Sequence, residues 1–138
     1  MAEEQAASGV TADEKQWGML AHLLVLSGYI IPFGNFIAPV VVFFMKKDES
    51  KFVKFHALQS IFLQLALFVV MLILMIPIII LTFITAGLAT LLMIPLFGLI
   101  GIGLLIYVIM IGLKANKGEL ARYYFVGDIA YKKVYEGA

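Results

Sequence analysis

The side chains that could do chemistry in this chain are a few uncharged polar groups set in long apolar stretches. Six of them stand out: His22, Asn35, His56, Gln59, Ser60 and Gln64. They fall in two stretches, residues 16–45 and 55–113, which contain no Asp, Glu, Lys or Arg. A polar group in apolar surroundings is costly unless it is paired. These six therefore either form a site or hydrogen-bond to one another.

Four of the six polar residues are spaced to share one face of a helix, at positions i, i+3, i+4 and i+8. We expect this face, from His56 to Gln64, to point toward His22 in the first stretch. One interpretation is a polar strip along the path of a substrate or proton. The other, which we favour, is a set of interhelical hydrogen bonds, each contributing about 0.6 kcal/mol on average.

Catalytic and metal chemistry lack the residues they need. Two histidines with no carboxylate or thiolate near them in sequence make a weak metal site, and the chain has no cysteine. No nucleophile stands beside a base and an acid that would orient it. The net charge of +1 gives no basic field for nucleic acid. We expect no enzyme, no cofactor, no metal and no nucleic-acid partner.

The composition requires a bilayer around these residues. Hydrophobic residues make up 63% of the chain and charged residues 14%, against about a quarter charged in soluble domains. A spanning helix needs about 20 apolar residues, so residues 55–113 hold two spans and a turn. We therefore predict an all-α integral membrane bundle. Its two long transmembrane helices follow a short helical hairpin that is broken by Pro and Gly.

Local signals set the expected boundaries. Thr11 and Glu14 form a capping box, and the segment from Pro32 to Asn35 must break the first apolar stretch. Residues 1–10 are predicted to be disordered, residues 11–118 to form the transmembrane domain, and residues 119–138 to form a cytoplasmic amphipathic tail. Helices are expected at about residues 12–30, 35–46, 51–84 and 88–116.

The first apolar stretch allows two topologies. Its length suits one span with a broken middle, whereas a hairpin would give two short helices of roughly 26 and 17 Å. In the last long helix, the glycines Gly98, Gly101 and Gly112 fall on one stripe where another helix could approach closely. We expect that stripe to be a helix contact.

The positive charges predict the orientation. They cluster in residues 46–54 and 114–133, whereas the turn near Gly87 has none. The positive-inside rule places both clusters in the cytoplasm, with two spans between them.

Four sequence blocks resemble a known family. They are WGMLAHLL at 17–24, IPFGNFIAP at 31–39, KKDESKFVKFHALQ at 46–59 and KANKGE at 114–119. Over about residues 14–122 the chain is similar to a bacterial membrane family of unknown function, related to the twenty-kilodalton subunit of the chloroplast inner-envelope import translocon (Tic). The chain departs from that pattern in two places. The Asn-Phe-Gln segment that usually follows Gln59 is absent, with Gln64 as the nearest counterpart to its glutamine, and the tail after Glu119 lacks a Tyr-Pro pair.

The resemblance implies four helices with both termini on one side. It therefore favours the hairpin, with a cytoplasmic N-terminus, in a bacterial inner membrane. Two functions remain open at this point. One is an accessory or assembly subunit that packs against a larger membrane complex or another copy of itself. The other is a translocation or conduction component of a Tic-like pore, with the His56–Gln64 face toward its lumen.

Overall fold

The computed structural model describes residues 9–137 and is helical throughout its regular elements. The elements are α1 (Ala12–Leu23), a 3-10 helix (Leu24–Tyr29), α2 (Gly34–Lys46), α3 (Lys51–Ile84), α4 (Leu88–Asn116) and α5 (Val126–Tyr135). The predicted all-α fold, with two long apolar helices after a broken helical hairpin, is confirmed. The segment predicted to be disordered, residues 1–10, lies outside the described residues except for its last two.

Hydrogen bonds join the start of α1 to the start of α3 at one end of the molecule. The Thr11 hydroxyl accepts from the Glu14 N–H at 3.2 Å, and the Glu14 carboxylate accepts from the Thr11 N–H at 2.8 Å. The same carboxylate accepts from the Ser50 hydroxyl at 2.6 Å, and Ser50 in turn caps α3. The Ser50 hydrogen bond, followed by the Thr11 bonds, lowers the pKa of Glu14.

The first apolar stretch folds back on itself. The α-helix ends at Leu23, earlier than expected, and continues as a 3-10 helix to Tyr29. Phe33 has a left-handed backbone (φ 62°) and begins α2. Gly34 is required here because a Cβ at that position would lie 2.5 Å from the Ser27 hydroxyl oxygen. We call α1, the 3-10 helix, the turn and α2 the N-terminal hairpin.

Contacts at both ends fix the extent of the N-terminal hairpin. At its base, the Lys46 Nζ atom lies 5.0 Å from the centre of the Trp17 ring, so α2 returns to the level where α1 began. At its tip, the Phe36 ring packs edge-on against the Phe68 ring at 6.0 Å. The N-terminal hairpin therefore reaches only about halfway along α3.

The long helices extend well beyond this tip. Helix α3 has 34 residues and α4 has 29, or about 50 and 43 Å at 1.5 Å per residue. Both are long and apolar enough to cross a membrane. Between Leu65 and Ile106 their large apolar side chains are mostly exposed, and the two helices make few contacts with each other. An exposed, unpaired apolar surface of this size suits lipid and not water.

The tail does not begin as a helix. Residues 117–125 cross the bundle without regular structure, and within the tail predicted over residues 119–138 the helix α5 starts only at Val126. Helix α5 packs on α3, where Ala130, Tyr131 and Val134 are buried against Phe55. The chain passes from α4 to α3 because polar side chains of α3 hydrogen-bond to the segment that precedes α5.

Candidate functional site

Five side chains from three parts of the chain meet in a buried group that we call the histidine cluster: His22, His56, Gln59, Ser60 and Tyr123. All of them are at most 1% exposed. Helix α1 supplies His22, one face of α3 supplies the next three, and the segment before α5 supplies Tyr123. The apolar sequence around them forces these polar groups to find partners inside the chain.

One assignment of protons satisfies the ring nitrogens. The His56 Nε2 atom lies 3.1 Å from the Glu119 carbonyl oxygen, which only accepts, so this nitrogen donates. The neutral His56 ring then accepts at Nδ1, which lies 2.8 Å from His22 Nε2. With Nε2 donating, His22 accepts at Nδ1 from the hydroxyls of Tyr123 (2.8 Å) and Ser60 (3.0 Å). Both tautomers are thus inferred from the partners.

The Tyr123 hydroxyl keeps its proton in this arrangement. Its burial raises the pKa of the phenol above its usual value. The phenol is therefore protonated at neutral pH and can donate to His22. A continuous line of donors consequently runs from Tyr123 through His22 and His56 to the carbonyl of Glu119.

Gln59 joins the tail to the bundle. Its Nε2 atom donates to the Ala121 carbonyl at 2.9 Å and to His56 Nδ1 at 3.1 Å. Its Oε1 atom accepts from the backbone N–H of Tyr123 at 3.1 Å. A second tail contact comes from α4, where the Tyr107 hydroxyl accepts from the Tyr124 N–H at 2.8 Å. Chemically, the cluster acts as an internal clamp that holds residues 119–124 against α1, α3 and α4.

Asn35 and Gln64 form a separate pair. The Asn35 Nδ2 atom donates to Gln64 Oε1 at 2.9 Å, at the tip of the N-terminal hairpin. Both side chains line a cavity of about 290 Å³ between the 3-10 helix, α3 and α4. The six polar residues proposed from the sequence are therefore divided between the histidine cluster, which holds four, and this pair.

The three glycines of the expected stripe have different surroundings. A Cβ on Gly112 would lie 3.3 Å from the His22 and Leu23 side chains, so this glycine lets α1 approach α4 closely. Gly98 and Gly101 have no neighbouring atom within 4 Å of such a Cβ. Gly101 lines the same cavity as Gln64, so this part of α4 faces open space within the described chain.

Comparison with known proteins identifies the family of this chain. The sequence model of the MamF/MmsF family, described as the magnetosome magnetite crystal formation protein family, matches residues 13–130. The chain belongs to this family. It is also 40% identical, over 90 residues, to a UPF0132 membrane protein of Methanocaldococcus jannaschii. That match covers 65% of this chain and 70% of the relative. No solved structure matches the chain.

The MamF/MmsF assignment corrects the relationship inferred from the four sequence blocks. The expected relation to the Tic subunit is wrong: the family match spans nearly the whole chain and is to MamF/MmsF, and the curated relative is a UPF0132 membrane protein. Short blocks of Gly, Pro, Lys and aromatic residues at helix ends reflect the demands of turns and interfaces. They are therefore poor discriminators between families of small membrane proteins.

The sequence interpretation missed the tail side of the histidine cluster. The hydroxyl and N–H of Tyr123 and the carbonyls of Glu119 and Ala121 supply four of its hydrogen bonds, yet they lie about 60 residues or more from their partners along the chain. No local spacing connects such residues. The sequence offered only a weaker signal. A tyrosine-rich segment follows the last long apolar helix, and the polar His56–Gln64 face of the other long helix needs hydrogen-bond partners.

Proposed function

We propose that this MamF/MmsF family member is a small, non-catalytic integral membrane protein that serves as an accessory or assembly subunit of a larger membrane complex. The proposal rests on where the polar and apolar side chains of the chain lie. Polar side chains capable of chemistry point inward and bond to one another. The exposed surface of α3 and α4 is apolar, and around Gly98 and Gly101 it allows a close approach.

The polar face that a conducting pore would need is already occupied. Gln59 is fully buried and bonded to the tail, and Gln64 is bonded to Asn35. This favours the subunit role over a lumen built from the His56–Gln64 face. Within the described residues, no group of three or more His, Cys, Asp or Glu side chains is placed to hold a metal ion.

The family description supplies the setting of the proposal. It names magnetite crystal formation in magnetosomes, and the curated relative is described only as a membrane protein. We propose that the chain resides in a bacterial cytoplasmic membrane, with both basic clusters on the cytoplasmic side. Its partners would be lipid and other membrane subunits, including further copies of the chain.

Cysteine crosslinking tests the subunit role, because the chain has no cysteine of its own. Gly101→Cys should crosslink in native membranes to one species of defined mass. Val108→Cys, on the same helix but 5% exposed, is the matched control and should not. Copies carrying two different tags distinguish self-association from a foreign subunit. Uncrosslinked Gly101→Cys together with a purely monomeric protein in mild detergent would refute the proposal.

A further inference from the structure

The N-terminal hairpin ends in an exposed apolar tip that no other part of the described chain covers. Ile30 is 87% exposed and Phe33 is 72% exposed, and Tyr29 and Ile31 beside them are also exposed. The exposed apolar surface continues along the outer side of α2 through Ile37, Val41 and Phe44, which are spaced to share one face. This surface runs from the tip almost to the base.

The base of the N-terminal hairpin is charged and fixes its level in a membrane. Asp13, Glu14 and Lys15 lie at the start of α1, and Lys46 lies at the end of α2. The base is also next to the C-terminal end of α4, because a Cβ on Gly118 would lie 2.9 Å from the Lys15 side chain. Charged groups are costly in hydrocarbon, so this end lies at the membrane surface or outside it.

The tip cannot reach the far side from that level. Helix α2 has 13 residues, or about 20 Å at 1.5 Å per residue, whereas the hydrocarbon core is about 30 Å thick. The contact between Phe36 and Phe68 places the tip beside the middle of α3. Beyond Phe68, α3 continues to Ile84, a further 24 Å or so, before it turns.

The backbone of the tip is compatible with a lipid environment. The N–H groups of Ile30 and Ile31 both donate to the Ser27 carbonyl, at 3.0 and 2.7 Å, and the Gly34 N–H donates to the Ile31 carbonyl at 2.9 Å. Pro32 has no N–H to satisfy. Backbone groups in hydrocarbon must be bonded within the protein, and this turn meets that condition at these positions.

We propose that the N-terminal hairpin is a re-entrant wedge that inserts into one leaflet only, the leaflet on the charged side, with phospholipid covering its apolar outer face. The lysines at its base (Lys46, Lys47, Lys51 and Lys54) complement anionic headgroups. The chain then presents the hairpin and both long helices to one leaflet, but only α3 and α4 to the other. This unequal cross-section is a property of the single chain and needs no partner subunit.

Single cysteines at three levels test the depth of the tip in sealed vesicles. A membrane-impermeant maleimide should label Asp48→Cys from one side only and Ala86→Cys from the other side only. Ile30→Cys should be labelled in detergent but from neither side in vesicles. Labelling of Ile30→Cys from the Ala86 side would show that the hairpin crosses the bilayer. Labelling from the Asp48 side would show that it lies outside the bilayer. Either result overturns the wedge.

A fluorescence measurement detects the contact between the hairpin tip and lipid directly. Ile30→Cys labelled with bimane in detergent and then reconstituted should be quenched by nitroxides on lipid acyl chains and not by aqueous iodide. Asp48→Cys carrying the same label should show the opposite pattern. Iodide quenching of the Ile30 label comparable to that of the Asp48 label would contradict the insertion.

Discussion

Replacing Gln59 by Leu should release the tail from the bundle. The substitution keeps the size of the side chain but removes the acceptor for the Tyr123 N–H and the donor to the Ala121 carbonyl. A buried backbone group left without a partner costs about 1–3 kcal/mol. Ala121 is only partly buried, so its carbonyl can find water, whereas the Tyr123 N–H cannot.

The expected cost of Gln59→Leu is therefore about 2–3 kcal/mol, mainly in the docking of residues 119–135. At tenfold per 1.4 kcal/mol, this raises the undocked fraction by roughly 30- to 150-fold. The matched control is Gln64→Leu, the same change on the same helix. It breaks only the side-chain pair with Asn35, at about 0.6 kcal/mol, or roughly threefold.

Limited trypsin digestion in mild detergent measures the difference. Cleavage at Lys132 and Lys133 follows the undocked population when docking is fast relative to cleavage. Circular dichroism should show that the long helices are retained in both variants. Equal cleavage rates for Gln59→Leu and Gln64→Leu, or no change for Gln59→Leu, would refute the clamp role of Gln59.

Two further predictions concern other contacts at the charged end. Gly127→Ala should also undock the tail, because the new Cβ would lie 2.9 Å from the Arg122 Cα and the Gln59 Oε1 atoms; Gly103→Ala, in open space on α4, should leave trypsin cleavage unchanged. The hydrogen bond from the Ser50 hydroxyl lowers the pKa of Glu14 in the folded protein. The ionised Glu14 carboxylate therefore contributes its full stabilisation above the unfolded pKa near 4.5, and this stabilisation is lost as pH falls through the lower folded pKa. The fluorescence of Trp17, the single tryptophan, should report this acid transition, and Glu14→Gln should remove it; an identical transition in that variant would show that another group is responsible.

The sequence alone determines the parts of this protein that depend on neighbouring residues. The absence of charge over residues 55–113 requires two long apolar helices, which the structure confirms as α3 and α4. The capping box at Thr11 and Glu14 and the break at Pro32 follow from backbone chemistry within four residues. The polar spacing after His56 places several side chains on one face, because helical geometry is periodic.

Contacts between distant residues were decided only by the tertiary structure. The length of the first apolar stretch favoured a single kinked span, yet Lys46 returns to Trp17 and the stretch forms a hairpin. The tail was predicted only as an amphipathic segment, and the structure shows that hydrogen bonds from Gln59 and His56 hold it against α3. In each case the energy comes from pairing groups that lie far apart along the chain. Composition and periodicity show that such groups need partners, and only the folded chain decides which partners they find.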